Sequence, residues 1–175
     1  MKRTIVISAF PGVGKSNFCN TIQNTRNAPY IDPEEKQKLP VVLDCDSSDF
    51  SWLGPGARNP DFPANYISHI RKNIGKVDLI FISTHKEVLK ALNESVIKFI
   101  LVFPRKYLKG EYIERYKSRK SPPSFIDMMN NKWDEFIDEL NDVDHTYKIV
   151  LEKNQFLQNI FYMDNIKDIL DQHHN

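Results

Sequence analysis

The sequence has little of what marks secreted, membrane-spanning or polyanion-binding chains. It carries only two cysteines, Cys19 and Cys45, in 175 residues. That count excludes a disulfide framework and suits a reducing cytoplasm, the expected location. No apolar run approaches the roughly 18 residues that a spanning helix needs, so no membrane partner is expected. The first apolar run is short and ends in a glycine loop, which reads against a signal peptide. Formal net charge is +1, too little for a strong nonspecific nucleic-acid binder, though a local basic patch stays open. Internal repeats and low-complexity tracts are also lacking. What is there is 41% hydrophobic and 27% charged. That is the composition of one ordinary globular domain over residues 1–175, large enough to bury a core.

The chain is organised around its start. Residues 4–7 (Thr-Ile-Val-Ile) read as a buried strand, followed by Ser8-Ala9-Phe10-Pro11-Gly12-Val13-Gly14-Lys15-Ser16. The spacing fits the phosphate-binding pattern G-x-x-x-x-G-K-[ST], except that Ala9 stands where the first glycine usually does. A β-region backbone at Ala9 accommodates its methyl group. Gly12 and Gly14 permit positive φ and let N–H groups approach phosphate oxygens, and a helix beginning near Lys15 aims its positive end at the same anion. Pro11, Gly12, Val13, Gly14, Lys15, Ser16 and Asn17 form the expected cofactor cradle. In it Lys15 reaches the β- and γ-phosphates and the Ser16 hydroxyl holds Mg²⁺. The alternative is a chance glycine turn between strand and helix.

After the loop, Phe18, Cys19 and Ile22 have helical spacing, and 24–27 reads as the helix end. Residues 27–39 read as a polar surface connection and 40–43 as a short buried strand entering Asp44-Cys45-Asp46-Ser47-Ser48. A breaker-rich loop is expected over 50–63; a loop that long in a compact domain is usually functional or mobile. A helix is expected over 65–73, ended by Gly75. Residues 77–83 form the second clear central strand, followed by a helix capped by Thr84 and ending near Leu92. Residues 99–103 form another strand, and Pro104 is expected to start a helix reaching Arg119. After the break at Ser121-Pro122-Pro123, Ser124 caps a helix. Its Phe125, Met129, Trp133, Phe136, Ile137 and Leu140 make one apolar stripe, read as core rather than as a cofactor box. A strand over 147–151 and a helix over 156–170 close the chain. Five apolar strands alternating with helices predict an α/β fold, a three-layer open parallel sheet with helices on both faces and its site at the carboxyl ends of the strands.

The strand, glycine loop and helix, an acidic pair after the second strand, and a late helix with spaced arginines together resemble P-loop kinases of the nucleoside and nucleotide kinase group. Residues 41–71 and 78–86 also loosely resemble small kinase-like proteins of bacteriophages and prophages. The resemblance implies a P-loop NTPase, nucleotide-kinase type of fold. It implies transfer of the γ-phosphoryl group of ATP, with Mg²⁺, to a nucleotide-type acceptor held between an acceptor loop (about 44–63) and a lid (about 105–124). That acceptor is a nucleoside, a nucleoside monophosphate, or a hydroxyl on a modified base in DNA.

Asp44 and Asp46 alternate by two, so they share a side if the strand continues through them. There a carboxylate can take a proton from an attacking hydroxyl or hold Mg²⁺ through water; equally, the pair can end the strand and cap a turn with Ser47 and Ser48. Arg58 can clamp an acceptor phosphate or be a solvated arginine. Trp52 and Phe50 can stack a base or pack the loop down. Arg115 and Arg119 share one helix face, where related kinases carry lid arginines for the phosphoryl-transfer transition state; a solvated basic face with Lys117 and Lys120 is the plainer reading. One departure stands out: the strand over 77–83 ends in Ser83 and Thr84 rather than in the Asp common at that place, and Asp78 lies at its far end. The other reading is an ATP- or GTP-binding regulatory module without phosphotransfer.

Overall fold

The computed structural model describes residues 3–144 and 146–161. Its elements are β1 (Ile5–Ala9), α1 (Lys15–Arg26), α2 (Pro33–Lys38), β2 (Val42–Asp44), α3 (Ser48–Ser51), β3 (Trp52–Gly54), β4 (Ala57–Arg58), α4 (Ala64–Asn73), β5 (Leu79–Ile82), α5 (Lys86–Glu94), β6 (Ile100–Pro104), α6 (Lys109–Ser118), α7 (Pro123–Asn141), β7 (Tyr147–Leu151) and α8 (Leu157–Ile160). A 3₁₀ turn (Lys106–Leu108) leads into α6.

Five strands form one parallel sheet in the order β2-β5-β1-β6-β7. Every residue of β1, β5 and β6 is buried, as central strands covered on both faces require. The step from β1 to β2 runs one way across the sheet, and every later step runs the other way. Right-handed crossovers therefore put α1 on one face and α4 to α7 on the opposite one. The packing agrees: α1 meets α8, α4 meets α5, and α6 meets α7. Because the helix after β1 and the helix after β5 lie on opposite faces, a crevice opens beyond the carboxyl end of β1. The core over β1 and β6 is aromatic. Phe10 meets Trp133 edge-on at 5.5 Å, and the Trp133 indole N–H donates to Lys106 O at 2.7 Å, satisfying its polar end.

Several elements differ from the sequence reading. The expected surface connection contains α2, whose start is well marked: the Asp32 carboxylate accepts from the Glu34 N–H at 2.7 Å, with Pro33 in the first turn and Glu34 and Glu35 beside it. The loop over 50–63 is not open. It holds the hairpin β3–β4, and the side-chain amides of Asn59 and Asn65 both donate to Phe50 O at 2.9 Å. Pro104 ends β6 instead of starting a helix, since β1 pairs only as far as Val102 and the missing N–H costs nothing there. His85, not Thr84, takes the N-cap position of α5, and Pro122 rather than Ser124 precedes α7. Of the expected closing helix over 156–170, α8 is described, and residues 162–170 lie outside the described residues. Among the described residues no helix is long and apolar enough to cross a membrane.

Candidate functional site

Residues 10–14 leave β1 and enter α1, and their shape is set by what holds their carbonyls. Val13 N–H donates to Phe10 O at 3.3 Å, Leu157 N–H to Val13 O at 2.9 Å, and Phe18 N–H to Gly14 O at 2.9 Å. The Tyr116 hydroxyl donates to Pro11 O at 2.8 Å and the Arg115 guanidinium to Gly12 O at 2.9 Å. Every carbonyl from Phe10 to Gly14 is thus committed to the protein. The N–H groups at the head of α1, which a helix cannot satisfy internally, remain for the cleft. Gly12 has φ 87° and Gly14 φ 97°. A methyl group on Gly12 would lie 2.9 Å from Tyr116 Cε1, so that turn needs glycine for both conformation and space.

Lys15 lies at the first turn of α1 and its Nζ is 2.7 Å from Asp44 Oδ1, at the end of β2. The expected sharing of one side by Asp44 and Asp46 along a continuing strand does not occur, because β2 stops at Asp44. Asp46 instead opens a turn, where its carboxylate accepts from the Ser48 N–H at 2.9 Å, and it lines the cleft. Lost hydration pushes its pKa up, but the hydrogen bonds from Ser48 and the field of Lys15 prevail and hold it below the ordinary carboxylate value. His85, across the cleft floor at the head of α5, is pulled below its ordinary value by lost hydration, against the opposing pull of Glu87.

The two lid candidates differ. The Arg115 guanidinium sits 4.4 Å from the Tyr112 ring centre and 3.9 Å from that of Phe156, and forms an ion pair with Glu111 at 2.5 Å. Together with its bond to Gly12 O, this makes Arg115 a brace for the loop. Arg119 is exposed at the cleft wall, lies over the Tyr116 and Phe125 rings, and donates to Ser121 Oγ at 2.7 Å. Arg58 and Trp52 do not belong to the cleft lining. Arg58 forms an ion pair with Glu87 and lies over the Trp52 and Phe62 rings. These contacts hold the hairpin against α5. Ser16 and Asn17 line the cleft, and the Asn17 amide donates to Gln158 Oε1 at 3.1 Å. Asp78 is far from this end of the sheet, where its carboxylate accepts from the Val41 N–H at 2.7 Å.

The cleft has a volume of ≈1670 Å³, above the roughly 300–1,000 Å³ usual for one small ligand. It starts at the glycine loop, passes Asp46, Ser83 and Thr84, and continues between α5 and α7. Two groups of contributors are missed in the sequence. Phe156 follows the carboxyl end of β7 and packs 3.3 Å from where a Gly14 Cβ would lie; its position after a parallel strand was the available signal. Phe125, Phe136 and Met129, read as core, also line the cleft.

No family model matches the chain, and no curated protein matches it. Among solved structures it is similar to an uncharacterized protein from Eubacterium ventriosum, at 14% identity over 98% of this chain and 100% of that one, with a TM-score of 0.46.

Proposed function

We propose that this chain is an ATP-dependent kinase of the P-loop nucleotide-kinase type, acting on a nucleotide-type acceptor. The observation that carries the proposal is the commitment of every carbonyl from Phe10 to Gly14 away from the cleft. That arrangement supports binding of a polyanion at the head of α1, beside a lysine. The donor set also fits a magnesium nucleotide: the Ser16 hydroxyl would hold the ion with water, and the ion would neutralise phosphate charge. Lys15 would leave Asp44 for the β- and γ-phosphates. Asp46 would accept the proton of an acceptor hydroxyl, and Arg119 would meet charge developing on the transferred group. A cytoplasmic setting accords with Cys19 and Cys45, both free and buried.

Two observations favour the second reading, a nucleotide-binding module without phosphotransfer. Lys15 already has a carboxylate partner, and β5 delivers Ser83 rather than a carboxylate to the cleft. The deciding experiment is ATP consumption screened against nucleosides, nucleoside monophosphates and DNA carrying hydroxylated bases, with Lys15→Ala as control. Acceptor-dependent ADP release that Lys15→Ala abolishes supports the kinase. ATP binding without turnover on any acceptor class supports the module.

A further inference from the structure

The cleft does not end where a triphosphate would. Beyond the head of α1 it continues as an arm between α5 and α7, lined by Leu89, Phe125, Met128, Phe136, Leu140 and Val143. The apolar stripe of α7 is wider than the core needs: Met129, Trp133, Ile137 and Leu140 are buried, while Phe125 and Phe136 are only half-buried and Met128 is 41% exposed. An apolar surface left open inside a cleft, continuous with a polar head, is the usual form of a small-molecule site. The walls are also tied together, because Lys86 of α5 forms an ion pair with Glu139 of α7.

The charges along the arm decide what kind of body fits. Lys86 is matched by Glu139 and Lys90 by Glu94 at 3.8 Å, and Asp142 also lines the cleft. That leaves no surplus of positive charge for a nucleic-acid backbone. Phenyl rings and a thioether favour a flat, polarizable ring.

We propose that the arm seats a flat, uncharged ring system forming the body of a small acceptor, with its phosphorylated end beside Asp46 and Lys15. The word acceptor rests on the kinase reading; the binding arm does not. The test is a titration of the full chain with N-phenyl-1-naphthylamine, a neutral probe that fluoresces in apolar sites, alongside a fluorescent ATP analogue. Saturable probe binding is expected, weakened at least tenfold by Met128→Glu and by Phe136→Glu, with the melting temperature unchanged in Met128→Glu. Free nucleosides at saturation should displace the probe, whereas single-stranded DNA of matching composition should not. Absence of saturable binding, or binding indifferent to both substitutions, would overturn the arm. Displacement by DNA alone would overturn the small-molecule assignment. Probe binding that persists in a chain unable to bind the ATP analogue would retain the arm and sink the kinase reading instead.

Discussion

Lys15 Nζ and Asp44 Oδ1 lie 2.7 Å apart, joining the head of α1 to the end of β2. The pair is only partly buried, with side chains 22% and 31% exposed, so it is worth about 1 kcal/mol or less. A phosphate group at the loop can therefore take Lys15 from Asp44 at small cost. The first prediction follows. Asp44→Asn should change the Kd for ATP by no more than about fivefold, whereas Lys15→Ala should abolish turnover with the fold intact. Isothermal titration with ATP and circular dichroism would check both. Turnover of Lys15→Ala within a few-fold of the parent chain would refute the site.

If the acceptor group is a hydroxyl, the proposed proton acceptor is Asp46 rather than Asp44, because Asp44 is paired with Lys15. Asp46→Asn should lower kcat by about 10²–10⁴ with ATP affinity kept. The folded-state pKa of Asp46 is depressed, so its ionised form persists above the ordinary 3.8 and is lost only as pH falls through the lower value. The rate should accordingly show no acid limb from Asp46 between pH 5 and 8. A limb in that range that disappears in Asp46→Asn would count against the depressed pKa, and a kcat unchanged in Asp46→Asn would count against Asp46 as the proton acceptor.

Arg115 and Arg119 should part company when truncated. Arg115→Ala removes the brace on Gly12 O and leaves Glu111 without its partner. It should cost about 2 kcal/mol of stability, roughly 4–8 °C in Tm, and raise the KM for ATP. Arg119→Ala should leave Tm and ATP affinity near those of the parent while kcat falls. Identical kinetic profiles for the two variants would contradict this division.

Arg58 is held by Glu87 and lies over the Trp52 and Phe62 rings. Arg58→Ala should therefore leave the acceptor KM within about threefold, as expected of an exposed ion pair worth under 1 kcal/mol. A tenfold rise would restore Arg58 to the acceptor site.

The two thiols should be inert in the folded chain. Burial pushes Cys19 up to about 12 and Cys45 up to about 11, with Asp44 adding to both. Thiolate is the reactive form, so iodoacetamide at pH 8 should modify neither until the chain unfolds. Labelling faster than unfolding would show the site region opening locally.

The sequence by itself determined the parallel sheet and the head of α1. Runs such as Leu79 to Ile82 are apolar throughout because both sheet faces are covered, and Gly12 and Gly14 signal a backbone turn that other residues resist. These are local properties, written in consecutive residues. Helix α2 is legible too, through Asp32, Pro33 and the glutamates after them, although its polar surroundings read as a surface connection. Tertiary structure alone decided which charged groups meet. Arg115 and Arg119 look equivalent at their spacing of four, yet one is closed between Tyr112 and Phe156 while the other faces the cleft. Asp44 and Asp46 look paired, yet the strand ends between them. Arg58 looked available until the hairpin turned it onto Glu87. Each outcome depends on a partner far away in the chain, and side chains as long as arginine or lysine settle on whichever distant group the packing brings within reach.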